Sequence, residues 1–326
     1  MHKKVAKALG AVVISSALIV FVSQQTTMET LTEMSLQISW VQALFWFAIY
    51  CLLSGVRAFR FWLMVGKQHF KLVFRAIGIQ SGLNRILPFR LGELTLPIWL
   101  SPNTTLTTTQ ILYSLLWVRI IDFSLIIAIG FMGIGVYLQA QSLFTGFVFM
   151  VIAIVFIIGL IFIQPNRLGL FIADCLDAIR RTTWGNRLLG HERSVDFQSQ
   201  LRNLPELNST QRLLLTISSV GVQATIIALY AVIVADLGME LPLNVTVLAV
   251  SSAQLLSVLP VLTMGTLGIH EAGWYAGLNS LGVHADTAVA SGIMTQVATL
   301  ALSLVLACTL YCWKPQGAAP SAVRRA

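Results

Sequence analysis

Apolar residues form eight long runs along the chain, separated by short polar segments. The runs cover residues 5–23, 39–61, 72–100, 111–138, 143–163, 211–235, 244–283 and 288–313. A helix needs about 20 apolar residues to cross the hydrocarbon core of a bilayer. The pattern therefore predicts an all-α polytopic membrane protein with about six spanning helices. Proline and glycine interrupt the runs 72–100 and 244–283, which we expect to form two hairpins instead of spans.

The composition excludes a soluble protein. Hydrophobic residues make up 56% of the 326 positions and charged residues only 10%, whereas soluble domains carry about 25% charged residues. The net charge of +8 alone would suit a nucleic-acid partner. Because the basic residues cluster at the ends of apolar runs, we interpret them as topology signals and expect no nucleic-acid partner. The whole chain, 1–326, is predicted to be one integral membrane domain.

The basic clusters predict the orientation of the chain. Cytoplasmic loops of membrane proteins collect Lys and Arg, so both termini, residues 57–75 and residues 167–212 are predicted to be cytoplasmic. Arg57 and Arg60 are interpreted as topology determinants. Counting the crossings then requires each broken run to leave on the side from which it entered. The first broken run is predicted to be a re-entrant hairpin from the cytoplasm and the second a re-entrant hairpin from outside.

Two stretches of about 100 residues share the order helix, hairpin, helix. They are residues 39–138 and 211–313, in opposite orientation and separated by a predicted cytoplasmic linker at 165–210. Leu-Pro pairs mark both hairpins, and Pro88 and Pro260 each lie 49 positions after the start of their unit (88 − 39 and 260 − 211). Broken segments at matching places in two inverted halves indicate a transporter site near the bilayer midplane.

Glycines spaced four apart occur in both hairpins. Gly78 and Gly82 lie in the first, and Gly273 and Gly277 lie in the second. Such pairs allow two helix backbones to approach closely. We expect them to be packing positions.

Ionisable side chains inside a bilayer are costly, so those present usually pair or line a polar path. Five positions within the apolar runs need this explanation: Arg90, Glu93, Arg119, Asp122 and Glu271. Arg119 and Asp122, three residues apart on one helix, are expected to share a face and neutralise each other. A structural ion pair and a substrate role remain open for these two residues.

The first break carries the residue type best suited to phosphate. Arg90 has the bidentate geometry that phosphate favours, although it also lies where an arginine can reach cytoplasmic headgroups. Backbone N–H groups at Gly92, Gly265 and Gly268 are candidates for an anion nest. His270, beside Glu271, is a candidate for pH sensitivity, and Arg85 is interpreted as peripheral.

Several motifs are absent from the sequence. It contains no P-loop, no HExxH and no cluster of Cys and His, so we expect no NTP-driven motor, no metal and no other cofactor. The four cysteines are expected to be small packing residues. We do not expect the protein to be an enzyme.

The motifs taken together resemble those of the lysylphosphatidylglycerol synthase transmembrane family, also called flippase-like membrane proteins. They are Asn84, the run Leu87 to Glu93, Arg119-Ile-Ile-Asp122, Leu259-Pro260 and the run Gly268 to Ala272. The resemblance implies a multi-pass protein of a bacterial inner membrane, related to the domain that moves aminoacylated phosphatidylglycerol between leaflets. The soluble aminoacyl transferase domain of fused members has no counterpart here, so synthase activity is not expected.

The chain also departs from the family pattern at positively charged positions. Leu96 stands where an arginine usually follows the first Gly-Glu, and His270 stands where an arginine usually precedes the second glutamate. The Pro-Gly-Gly that often comes before that glutamate reads Met264-Gly265-Thr266. These replacements leave the identity of the lipid open.

The resulting hypothesis is a lipid translocase that moves a phospholipid or polyprenyl-type lipid with its headgroup in a polar midplane cavity. Arg90 and Arg119 would contact phosphate, and the glutamates would pair with arginines or with a cationic headgroup. Substrate binding is predicted at Arg90, Glu93, Arg119, Asp122, His270 and Glu271, and the hairpin turns at Asn84, Pro88, Gly92, Pro260, Gly265 and Gly268.

Two alternatives remain open. One is a membrane enzyme acting on a lipid phosphate, and the other is a non-transporting accessory protein of a lipid or glycan pathway. A membrane lipid is the expected partner. Self-association and association with lipid or glycan biosynthetic enzymes are both left open.

Overall fold

A computed structural model describes residues 32, 38–65, 70–104, 106–139, 143–162, 174, 207–258 and 266–313. All regular structure in these ranges is helical. The α-helices are α1 (Trp40–Met64), α2 (Phe70–Ile86), α3 (Thr95–Leu100), α4 (Thr108–Gln139), α5 (Leu143–Phe162), α6 (Ser209–Asp236), α7 (Leu243–Val258), α8 (Ile269–Asn279) and α9 (Ala285–Cys312). Two 3-10 segments, Pro88–Leu94 and Ser101–Asn103, flank α3.

Some predictions concern residues outside these ranges. They are the first apolar run at 5–23, most of the linker 165–210, and the turn residues Pro260 and Gly265. The backbone of Arg90 lies in the first 3-10 segment, but its side chain is outside the described part of the structure. The predicted phosphate contact of Arg90 therefore stays a prediction.

Four of the described helices are long and apolar enough to cross a membrane: α1, α4, α6 and α9. Shorter apolar stretches occur at Phe144–Val155 in α5 and Leu243–Ser257 in α7. The all-α membrane class is confirmed by these helices. The count of about six spans stays a prediction, because the first apolar run is not described and the side chains of α5 are described without interruption only over Phe144–Val155.

Helices α1 and α6 pack against each other in antiparallel orientation. Ser39 caps the start of α1 through a capping box with Gln42. Gln42 and the indole N–H of Trp46 then donate hydrogen bonds of 2.8 Å and 2.7 Å to Asp236, at the end of α6. The start of α1 and the end of α6 therefore lie on the same side, as the charge bias requires.

The first broken run forms a hairpin that packs along α9. Helix α2 runs antiparallel to α9: Arg75 donates to the backbone carbonyls of Leu310 and Tyr311, and Arg85 binds Gln296 near the middle of α9. The chain then turns at Pro88, whose ring cannot continue a hydrogen-bonded helix. The 3-10 segment and α3 return along α2. The tip of this hairpin thus lies halfway along α9.

The second broken run forms a hairpin of α7 and α8, and α7 packs along α4. Helices α7 and α4 are antiparallel, since Gly130 contacts Ser251 and Gly133 contacts Leu248. Helix α8 begins after Gly268, whose φ of 84° is accessible to glycine at little cost. Both predicted hairpins are therefore present as helical hairpins, and their re-entry into a membrane stays a prediction.

The contacts between the two predicted repeat units are reciprocal. Helices α1 and α6, the first of each unit, contact each other. The first hairpin helix, α2, packs on α9 of the other unit, and the second hairpin helix, α7, packs on α4 of the first unit. Two inverted units that exchange their hairpins produce this pattern.

The glycine pairs occupy close helix contacts, as predicted. A Cβ on Gly82 would lie 2.5 Å from the Cβ of Ala307 in α9. A Cβ on Gly273 would lie 2.7 Å from the Cα of Ala253 in α7. In the second case the neighbour is backbone, which cannot rotate away, so the small residue sets the distance between α7 and α8.

Substitution of Gly273 by alanine is expected to destabilise the protein by about 1–3 kcal/mol, the usual cost of overpacking a tight contact. Gly55→Ala in α1 is the matched control, because a Cβ there meets nothing within 4 Å; alanine should be neutral or slightly stabilising. Thermal unfolding in detergent measures both. Equal midpoints for the two variants would contradict the packing described.

Candidate functional site

A cavity of about 220 Å³ lies between the described ends of the two hairpins, Asn84 and Arg85 in the first and Ser257 and Thr266 in the second. These ends are called the hairpin tips. Most of its wall comes from α1, α2, α4 and α6, and α7, Thr266, α8 and α9 complete it. Arg85 of the first hairpin donates hydrogen bonds to Gln296 (2.7 Å) and to Thr266 in the second break (3.4 Å). Gln296 in turn donates to Thr266 at 2.8 Å. Both units of the predicted repeat therefore contribute to one site.

The wall of the cavity is strongly basic. Among the described residues it contains four arginines, at positions 57, 60, 85 and 119, and one carboxylate, that of Asp122. With His270 neutral, these side chains carry a net charge of +3. Cations in the interior of a membrane protein need either a counter-charge or a functional reason.

Arg60 and Asp122 form a buried ion pair that joins α1 to α4. The guanidinium makes two hydrogen bonds to the carboxylate, through Nη1 to Oδ1 and through Nη2 to Oδ2, the latter at 3.0 Å. Arg60 is 4% exposed and Asp122 16%. Arg60 also donates to the hydroxyl of Ser219 in α6 at 3.3 Å. This pair ties three helices of the cavity wall together.

Arg119, one turn before Asp122 on α4, pairs with Glu93 of the first hairpin. Its side chain is 37% exposed and that of Glu93 is 21% exposed. Glu93 thus anchors the 3-10 segment of the hairpin to α4. This agrees with the expectation that the glutamates would pair with arginines. The more open Arg119 lies on the cavity wall.

Among the described cations of the cavity wall, Arg57 has no fixed partner. It forms neither a hydrogen bond nor an ion pair within the described ranges, although Tyr50 and Asp122 lie near enough to interact with its charge. Guanidinium is weakly hydrated and binds phosphate in bidentate geometry. Arg57 is therefore available to an anionic ligand without first breaking a protein contact.

His270 and Glu271 occupy different environments at the start of α8. The His270 ring lines the cavity and packs against Tyr230, with the ring centroids 5.5 Å apart. Glu271 instead accepts a hydrogen bond from the backbone N–H of Gly268 at 2.8 Å and so caps α8. The geometry gives Glu271 a structural role, and it forms no ion pair with an arginine of the described residues.

The structure corrects several sequence-based interpretations. Arg119 and Asp122 do not neutralise each other, because each pairs with a residue on another segment. Arg85 is not peripheral, since it joins the two hairpin tips. Arg57 and Arg60 are more than topology determinants, since both line the cavity. Glu271 caps α8 and forms no ion pair with a described arginine, and its contact with a headgroup stays a prediction.

The predicted turn residues of the first break pack closely. A Cβ on Gly92 would lie 2.5 Å from both the backbone nitrogen and the side-chain oxygen of Asn84, so glycine is required for the 3-10 segment to lie against α2. Asn84 itself lines the cavity. The described residues provide no test of the anion nest at Gly92 and Gly268.

Sequence reasoning missed a set of amide side chains on the cavity wall, Gln80, Gln223 and Gln254. Gln223 and Gln254 stand in largely apolar stretches of α6 and α7, which was the available signal, whereas Gln80 lies among other polar residues of α2. Gln223 is only 2% exposed, and its side-chain oxygen has no hydrogen-bond partner.

The comparison with protein families agrees with this architecture. A family model described as the lysylphosphatidylglycerol synthase TM region matches residues 8–307. The chain belongs to this family. A search of curated proteins and a search of solved structures each found no match. The lysylphosphatidylglycerol synthase TM-region match spans both predicted repeat units and both hairpins, and with the four long apolar helices it identifies a multi-pass membrane protein with a lipid-related role.

Substitution of Asp122 by asparagine should destabilise the protein by about 3–5 kcal/mol, because it leaves the buried Arg60 charge uncompensated. Glu93→Gln is the comparison, and should cost about 0–1 kcal/mol since the Arg119 pair is more open. The double variant Arg60→Gln, Asp122→Asn should recover part of the loss. Unfolding in detergent measures all three. An Asp122→Asn variant as stable as Glu93→Gln would refute the assigned pairing.

Proposed function

We propose that this protein moves a phosphate-bearing lipid between the leaflets of a membrane, with the lipid headgroup in the basic cavity. The observation that carries the proposal is the position of that cavity. Four arginines line the space where the tips of two hairpins meet, and the hairpins come from opposite ends of the helical bundle. An anionic headgroup entering this space would find counter-charge from both halves of the protein.

The geometry of the hairpins and the charge bias support a re-entrant placement of both hairpins in the membrane. Helix α2 starts beside the end of α9 and reaches only the middle of α9. Helix α7 starts from the opposite end of the bundle, since α4 and α7 are antiparallel. Backbone breaks at membrane depth are tolerated where protein or a polar cavity satisfies them. In this proposal both breaks lie near the midplane, and the basic residues 57–75 face the cytoplasm.

The headgroup would cross while the acyl chains stay in the surrounding lipid. Phosphate would bind Arg57 and replace some of the contacts of Arg119 and Arg85. Arg85 now joins the hairpin tips. Separation of the tips toward one side and then the other would give alternating access, the usual mode of inverted-repeat transporters. Since the sequence contains no P-loop, a concentration or ion gradient would supply the direction.

The proposal predicts that Arg57→Gln slows lipid movement at least about tenfold, because a charge-assisted hydrogen bond contributes roughly 1.5–3 kcal/mol and 1.4 kcal/mol corresponds to a factor of ten. The assay uses vesicles containing the purified protein and phosphatidylglycerol labelled on an acyl chain with a fluorophore. A reductant that cannot cross the membrane then quenches only the outer leaflet.

Arg212→Gln, at the start of α6 and off the cavity wall, is the matched control and should retain the wild-type rate. Vesicles without protein give the background. A wild-type rate at this background, or an Arg57→Gln rate equal to wild type, contradicts the proposal.

A further inference from the structure

The cavity contains a second group of polar side chains that the phosphate does not use. They are carboxamides from three helices and phenols from two: Gln80, Asn84, Gln223, Gln254, Tyr50 and Tyr230. None of these side chains forms a hydrogen bond with another described residue. A buried polar group normally has a hydrogen-bond partner, and leaving it without one costs about 1–3 kcal/mol.

Two of these groups need hydrogen-bond donors. The side-chain oxygens of Asn84 and Gln223 are both buried and unpaired. Each carboxamide presents an acceptor and two donors whichever way it is turned. The oxygens of a phosphate diester only accept hydrogen bonds, so they cannot satisfy an amide oxygen. A headgroup that fills this part of the cavity therefore pairs with the amide oxygens only if it brings donors of its own, as hydroxyl, amide or ammonium groups.

The charges on the cavity wall disfavour an ammonium. On the described wall four arginines face one carboxylate, that of Asp122. That carboxylate is already held by Arg60. The two glutamates nearby are also engaged, Glu93 by Arg119 and Glu271 by the backbone of Gly268. An additional cation would meet like charge without a free carboxylate, which favours exclusion of cationic headgroups.

Hydroxyl groups satisfy both requirements. Each is uncharged, and each both donates and accepts, which matches the carboxamides and the phenols. We infer that the site takes a phosphodiester headgroup that ends in an uncharged, hydroxyl-bearing group, a glycerol or a sugar-like ring, and that it rejects the aminoacylated form. This inference rests on the proposed function and specifies its substrate class.

The test compares four lipids that share the phosphodiester and carry the same acyl-chain fluorophore. Phosphatidylglycerol and phosphatidylinositol bring a glycerol and a ring of hydroxyls, phosphatidylethanol brings no hydroxyl, and lysylphosphatidylglycerol brings cationic amino groups. Wild-type protein in vesicles should move the first two at least about tenfold faster than the last two. Phosphatidylethanol lacks the hydrogen-bonding groups that the site is built for, and lysylphosphatidylglycerol brings cations to a basic wall. The first two arms distinguish a glycerol from a ring.

The amide side chains should carry this preference. Gln223→Leu is expected to reduce the rate ratio of phosphatidylglycerol to phosphatidylethanol to less than about threefold, and Gln254→Leu serves if the first variant does not fold. Thr225→Val is the control on the same helix, since its hydroxyl binds the Gly221 carbonyl of its own helix, and it should keep the wild-type ratio.

Thermal shifts of the detergent-solubilised protein with each lipid distinguish a failure of the substrate class from a failure of translocation. Equal rates for all four lipids would overturn this inference and leave the proposed function standing. A second outcome is that no lipid moves, but phosphatidylglycerol stabilises the wild type more than phosphatidylethanol does and Gln223→Leu loses this difference. The substrate class is then supported and translocation is refuted. No movement and no selective stabilisation overturns both.

Discussion

The structure depends on one constraint, that polar and charged groups inside a bilayer must be satisfied within the protein. Residues that flank both helix breaks line the same interior space as the four arginines of the described wall. The Arg60–Asp122 pair joins α1 to α4, and Arg119 on α4 holds Glu93 of the first hairpin. These pairs fix two guanidinium groups to the wall. Arg57 and the amides are left facing the cavity, so the constraint that stabilises the bundle also defines its ligand chemistry.

The helices and their breaks were predictable from the sequence because each has a local cause. Apolar runs of sufficient length predicted α1, α4, α6 and α9, and Pro88 and Gly268 predicted the breaks. Spacing alone also placed Gly273 at a helix contact. In each case the information lies within a few neighbouring residues.

The partners inside the site were not predictable in the same way. Arg119 and Asp122 share a helix, and the sequence does not show that a hairpin brings Glu93 to the former while α1 brings Arg60 to the latter. Arg57 and Arg60 lie near the end of an apolar run, where the positive-inside rule explains any base equally well. The sequence did not show that Glu271 caps α8. The hydrogen bond from Gly268 to its carboxylate depends on where the helix begins, which the sequence pattern does not fix to one residue.

The central claim is that the two hairpin tips share one water-accessible pocket, and cysteine accessibility tests it most directly. Ser81 and Thr266 line the pocket from the first and second hairpin, whereas Leu52 of α1 is 60% exposed on the apolar outer surface. In a protein whose native cysteines are replaced by alanine, a charged, membrane-impermeant thiol reagent should modify Ser81→Cys and Thr266→Cys but not Leu52→Cys. Bound phosphatidylglycerol should protect both pocket positions. Modification of only one, or protection of neither, would contradict a shared pocket.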